Sequence, residues 1–102
     1  GFIGLLEQDY VAPFTPATDI GWRLRKQFWG KGYAAEGAKR CLEFGFDNLD
    51  MNRIVSVCPA INKASEQVMQ KIGMTWQGEF EHPGLLGHPW LNPCIWYEAK
   101  KT

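Results

Sequence analysis

Two glycines one residue apart, Gly30 and Gly32, stand between an apolar segment at Ile20–Leu24 and a helical pattern that begins at once after them. A strand, a glycine loop and a helix start in direct succession form an anion site. The glycines let a ligand approach the backbone, and the first helical N–H groups, with the positive end of the helix dipole, favour phosphate. Spacing narrows the choice of ligand. A Walker loop needs Gly-Lys-Ser/Thr, and here Lys31 is followed by Gly32. A dinucleotide fingerprint survives only through Ala35 in the third glycine position, and no hydrophobic strand leads to an acidic ribose partner near Asp50. The pattern that fits is Q-x-x-G-x-G, read as Gln27, Gly30 and Gly32. The alternative is a strand-to-helix turn whose glycines serve geometry alone.

The rest of the chain alternates strand and helix periods. Phe2–Glu7 reads as a strand, Pro13–Pro16 as a loop, and Asp19–Arg25 as a strand antiparallel to the first. After the glycines, Ala34, Ala38, Cys41, Leu42, Gly45, Phe46 and Leu49 recur at helical spacing and predict one buried stripe. Arg53–Cys58 is β-branched and apolar, a buried strand expected parallel to Asp19–Arg25 across a right-handed crossover. Asn62 suits an N-cap, Ala64, Val68 and Ile72 a helical stripe, and Gly73 the residue just past a helix end. Met74–Phe80 and Cys94–Lys100 complete the order β-β-α-β-α-β-β, an α/β (α+β) fold with a mixed central sheet in a single domain over residues 1–102.

Composition excludes several classes. Eleven basic and eleven acidic residues cancel, so neither nucleic acid nor an anionic membrane surface is an expected partner. No apolar run reaches the roughly 20 residues that span a bilayer. Gly1–Leu6 lacks the basic flank of a secretion signal. Cys41, Cys58 and Cys94 form neither a zinc pattern nor a disulfide framework, which suits a reducing cytoplasm. His82 and His88, six residues apart with no further ligand at metal spacing, support neither a metal nor a nucleophile, and no metal is expected.

Three blocks carry a family resemblance. Ile20-Gly-Trp-Arg-Leu24 with Trp29-Gly-Lys-Gly-Tyr-Ala-Ala-Glu36, then Asn62-Lys-Ala-Ser65, then Val68-Met69 with Lys71-Ile-Gly-Met74, together resemble the GNAT superfamily of N-acetyltransferases. The similarity is to the branch of ribosomal-protein N-terminal acetyltransferases. It implies acetyl-CoA, or coenzyme A, as co-substrate, with the diphosphate on backbone N–H groups of Phe28, Trp29, Gly30, Lys31 and Gly32, and with Tyr33 and Ala34 at the helix start. Gln27 opens that motif, and Lys31 and Arg25 could add charge. Trp29 either packs under the loop or flanks the cofactor. The resemblance also implies a pantetheine arm lying between the two parallel strands. It places Asn62 on that arm, Ser65 near the sulfur as a proton donor, and an oxyanion donor in the backbone around Leu24.

The chemistry sets one further requirement. A primary amine attacks the thioester directly, and a lysine-like amine with a pKa of ~10.4 costs ~4–5 kcal/mol to deprotonate at pH 7. A positioned carboxylate would serve as base. The resemblance implies Asp19 as the first choice, since it opens the strand leading to the glycine loop where the family often carries a carboxylate, ahead of Glu7, Glu79 and Glu81, with His82 behind them. As ordinary structural residues, Asn62 and Ser65 would simply cap and open a helix, and each carboxylate would be a solvated surface charge. Cys58 is expected to pack inertly. Trp76, Phe80, Trp90, Trp96 and Tyr97 should be mostly core, with some apolar surface left over.

The resemblance further implies a strand, two helices and a strand ahead of Gly1–Leu6, elements that commonly wall the acceptor side. Their absence here means either a truncated chain or a naturally short domain that completes its site with a second copy; on the second reading a homodimer is expected. The function expected is transfer of an acetyl group from acetyl-CoA to a small-molecule or peptide amine. The rivals are a non-catalytic acyl-CoA-binding or interaction module and a nucleotide-binding fragment unrelated to acyl transfer.

Overall fold

The computed structural model describes residues 2–23 and 32–101. The chain forms β1 (Phe2–Gln8), β2 (Ala17–Arg23), α1 (Tyr33–Asp47), β3 (Arg53–Pro59), α2 (Lys63–Lys71), β4 (Thr75–Phe80) and β5 (Cys94–Lys100). Two single 3₁₀ turns, Pro83–Leu85 and Pro89–Leu91, fill the Gly- and Pro-rich connection before β5. One five-stranded sheet results, in the order β1-β2-β3-β5-β4. β1 and β2 are antiparallel with Leu6 opposite Asp19, and β2 and β3 are parallel with Asp19 opposite Val55. β5 runs antiparallel to both of its neighbours, β3 and β4.

Both helices cover one face. Ile20, Ile54, Ile95 and Tyr97 project there from the strands and meet Ala38 and Leu42 of α1 and Met69 and Ile72 at the end of α2. Small residues on α1 set the depth of this layer. A Cβ on Gly37 would collide with Ile3 Cδ1, and one on Gly45 would lie 2.8 Å from Ile54 Cδ1, so α1 rides close to the sheet where it lacks side chains.

Two details of the expected helices differ. Leu49 lies beyond the end of α1 and is exposed, because the helix stops at Asp47 and Asn48 caps it. Ala64 is exposed as well; α2 turns Ser65, Val68, Met69 and Ile72 inward, and Met69 is fully buried. The end of α2 is a complete Schellman motif. Gly73, at φ 86°, donates to Gln70 O at 3.1 Å, and Met74 donates to Met69 O at 3.1 Å.

Candidate active site

β2 and β3 point the same way, and each runs from its paired level at Asp19 or Val55 through four further residues to its end. The chain leaving β2 enters α1, and the chain leaving β3 enters α2, so both helices start beyond one edge of the sheet, at the carboxyl ends of the parallel pair. Open α/β sheets bind ligands at such an edge. Pairing between the two strands is recorded at one level, Asp19 with Val55. Next to it the buried Ser56 hydroxyl donates to the Ile20 carbonyl at 3.1 Å, a side-chain link between the two strands.

At the first helix start Gly32 holds φ 77° and ψ 3°, the left-handed conformation that glycine takes at little cost. Its carbonyl accepts the first helical bond, from Glu36 N–H at 3.0 Å. Among the described residues, a Cβ built at Gly32 would meet no atom within 4 Å, so the glycine serves backbone shape there. Tyr33 and Ala34 begin the helix as expected. Leu24, Gln27, Phe28, Trp29, Gly30 and Lys31, with Arg25, lie outside the described residues.

At the second helix start the Asn62 side chain accepts the Ser65 N–H at 3.1 Å, and Glu66 N–H reaches Asn62 O at 3.2 Å. Asn62 is thus an N-cap, and it places Ser65 in the first turn at the same sheet edge as Gly32.

Asp19 sits below that edge on the sheet face away from the helices, since its neighbour Ile20 points into the helix-side core. It is flanked by exposed Leu6 on β1 and fully buried Val55 on β3. Its Oδ1 is buried and has no hydrogen-bond partner among the described residues. Burial of the carboxyl raises its pKa from 3.8 to about 7, since desolvation penalises the charged form. The rival carboxylates differ. Glu7 accepts a 2.6 Å hydrogen bond from Thr18 Oγ1, and Glu79 and Glu81 are exposed.

The cover next to Asp19 was not legible in the sequence as more than a proline-flanked loop. The segment after β1 folds back over the sheet and buries Phe14 to 3% exposure. Phe14 packs against Phe80 (centroids 5.1 Å apart) and Trp96 (4.6 Å), and Tyr10 lies 4.3 Å from the His82 ring. Arg53 fastens the segment by donating to the Phe14 carbonyl at 3.1 Å, while its Nε makes a close charge contact with Glu98 Oε2 at 3.2 Å. Burial first, and then the nearby Asp19 charge, push the Tyr10 hydroxyl up to about 12. Aromatics at positions 10 and 14, between polar and proline residues, were the signal available for this layer.

His82 is held firmly. Its Nδ1 accepts the Gly84 N–H at 2.9 Å, and Asn92 brackets its backbone by accepting from the N–H at 3.0 Å and donating to the carbonyl at 3.3 Å. Burial lowers its pKa. Cys58 is buried, and desolvation first, with Glu66 and Cys94 adding, raises its thiol to about 12, which leaves it protonated and inert. Among the described residues no three His, Cys, Asp or Glu side chains are grouped to hold a metal ion. Of the five C-terminal rings only Tyr97 is fully core, whereas Trp76 and Trp90 are exposed. Trp90 lies in the connection before β5, and Trp76 on β4, at the sheet's edge.

Residues 1–75 match the family described as acetyltransferase (GNAT) domain. The chain belongs to that family. It is 39% identical over 74 residues to the uncharacterized N-acetyltransferase YnaD of Bacillus subtilis (strain 168), covering 72% of this chain and 44% of that protein. It is 38% identical over 61 residues to the FsC-acetyl coenzyme A-N(2)-transacetylase of Aspergillus fumigatus, covering 60% of this chain and 26% of that protein. The fold superimposes on the crystal structure of an acetyltransferase (GNAT family) from Bacillus anthracis with a TM-score of 0.74 and 34% identity, over 81% of this chain and 49% of that one. The chain therefore spans less than half the length of these relatives. No helix among the described residues is long and apolar enough to cross a membrane.

Proposed function

We infer that this chain is the acetyl-CoA-binding core of an N-acetyltransferase that moves an acetyl group to a primary amine. The observation that carries this is Asp19, a buried carboxylate with an unpartnered oxygen, on the strand that leads to a left-handed glycine and a helix start. The left-handed backbone at Gly32 suits close approach of a diphosphate, and the relative named for acetyl coenzyme A transfer supports the same co-substrate. The loop opened by Gln27, at Phe28, Trp29, Gly30, Lys31 and Gly32, with Tyr33 and Ala34, holds the diphosphate. The pantetheine arm lies along β2 towards Asp19, four residues or roughly 13 Å from the strand end, and Asn62 contacts it.

The acceptor amine gives a proton to Asp19 and attacks the thioester carbonyl. The tetrahedral oxyanion is held by a backbone N–H beside the thioester. As the carbon–sulfur bond breaks, the thiolate takes a proton from Ser65, and the proton held by Asp19 returns through solvent to the Ser65 hydroxyl, leaving the amide, free coenzyme A and both side chains in their starting states. With a base near pH 7, kcat/KM falls tenfold per pH unit below that value, as Asp19 becomes protonated.

A thiol-release screen over single amines and short peptides tests the assignment. Coenzyme A should appear only when amine and acetyl-CoA are both present. Binding of acetyl-CoA without thiol release towards any amine favours the non-catalytic module, and preference for ATP or NAD in a thermal-shift panel favours the unrelated nucleotide binder. A cytoplasmic setting and self-association belong to the same proposal, the latter supported by exposed Trp76 and Trp90. Light scattering should give a dimer mass; a folded monomer at all concentrations would remove that part.

A further inference from the structure

The first turn of α2, where Asn62 and Ser65 stand, is anchored differently from the rest of the helix. Its far end is fixed by Met69 and Ile72 in the core and by the glycine cap, whereas Asn62, Lys63 and Ala64 are exposed. Besides the backbone bond from Asn62 N–H to the Pro59 carbonyl of β3 at 2.9 Å, two links among the described residues reach the first turn from the sheet. One is weak: Cys58 Sγ lies 3.8 Å from the Asn62 carbonyl. The other is the Tyr97 hydroxyl, which donates to Glu66 Oε2 at 2.8 Å and accepts from Gln70 Nε2 at 3.0 Å.

Tyr97 is 3% exposed in the middle of β5, between Ser56 of β3 and Trp76 of β4, so its hydroxyl is presented from a strand paired on both sides. Glu66 directly follows Ser65, and Lys63 lies 3.5 Å from its other oxygen. A hydrogen bond of this kind, made to a side chain in a helix's first turn, restricts the rotation of that turn.

We propose that Tyr97, acting through Glu66, is a positioning residue that orients the Asn62–Ser65 turn towards the coenzyme A arm. This rests on the assignment of Asn62 and Ser65 above. Tyr97 touches neither substrate nor reacting atoms; it sets the angle from which the turn meets them. The Gln70 bond holds the hydroxyl from the next turn, so that its proton is directed at Glu66.

The test is coenzyme A affinity by calorimetry, with steady-state KM for acetyl-CoA and for the amine, in Tyr97→Phe, Glu66→Ala and Glu66→Gln. Losing one such bond weakens coenzyme A binding about 5–20-fold, and KM for acetyl-CoA rises in step while KM for the amine stays unchanged. Glu66→Gln keeps an oxygen that can accept from Tyr97 and should stay within about twofold of wild type. A merely structural tether would lower melting temperature in the Phe and Ala variants and leave coenzyme A affinity unmoved, which would overturn the proposal. Equal losses in Glu66→Gln and Glu66→Ala would also overturn it, since charge and not the accepted hydrogen bond would then matter. If Tyr97→Phe does not fold, the two Glu66 variants decide the matter. Wild-type protein that fails to bind coenzyme A would sink the site assignment itself, an outcome distinct from wild-type binding with unaffected variants.

Discussion

Asp19→Asn yields a protein that is inactive in acetyl transfer yet more heat-stable than wild type at pH 8. The two effects share one cause. The carboxyl titrates at 3.8 in its ordinary state and near 7 in the fold, because burial penalises its charge. Between those values the folded state holds more protons than the unfolded one, so stability is lost as pH rises through this window. Above pH 7 the full cost of roughly 4 kcal/mol is in place, and below about pH 4 it is absent. An amide carries no charge, but it still buries a polar group. The expected gain at pH 8 is therefore smaller, about 1–3 kcal/mol, or roughly 5–15 °C in melting temperature for a domain of this size. At pH 4 the gain should vanish. Loss of a positioned base lowers kcat/KM by about 10²–10⁴. Melting curves at both pH values, beside thiol-release rates at pH 8, read out both. Equal stability at pH 4 and 8 would show that Asp19 is not paying a burial cost, and wild-type turnover would remove it from the chemistry.

Gly32→Val abolishes coenzyme A binding while most of the fold survives. Gly32 occupies the left-handed region at φ 77°, where a Cβ costs about 1–2 kcal/mol, and a β-branched residue is the least tolerant choice there. No atom of the described residues crowds it, so the cost falls on the backbone. Helix α1 has independent anchors in Ala38 and Leu42, and circular dichroism should change little. Binding should fall by about 10²-fold or more, as the proposed grip of several loop N–H groups on one diphosphate requires. Gly32→Asn, which tolerates the same φ, should retain far more affinity than Gly32→Val. Calorimetry that finds wild-type affinity in the Val variant would refute the assigned loop.

The strand and helix order was readable because each element carries a strong local signal. The β-branched run at Arg53–Cys58, the Asn62 cap and the terminal Gly73 all do what their chemistry dictates. Helix periodicity gave the buried face of α1 but overran its end at Leu49, since nothing apolar marks where Asn48 stops the helix. In α2 Ala64 misled because an alanine fits either face, and Met69 carries the burial instead. Asp19 could be chosen from its place on a strand, but its isolation could not, because that follows from Leu6 and Val55 flanking it across strand pairs. The Tyr10–Phe14 cover and the Tyr97–Glu66 bond were hidden for the same reason. They join residues far apart in the chain, and spacing along a sequence says nothing of such meetings.

The placement of β5 between β3 and β4 governs how the domain is made. During synthesis the Ile54–Cys58 segment and β4 both leave the ribosome before the strand that must lie between them. For that interval an apolar strand edge stands open, a template on which nascent chains can stick together. Newly made protein should therefore be most vulnerable to aggregation just before Cys94–Lys100 emerges, and strand insertion, more than helix formation, should set the yield of soluble product.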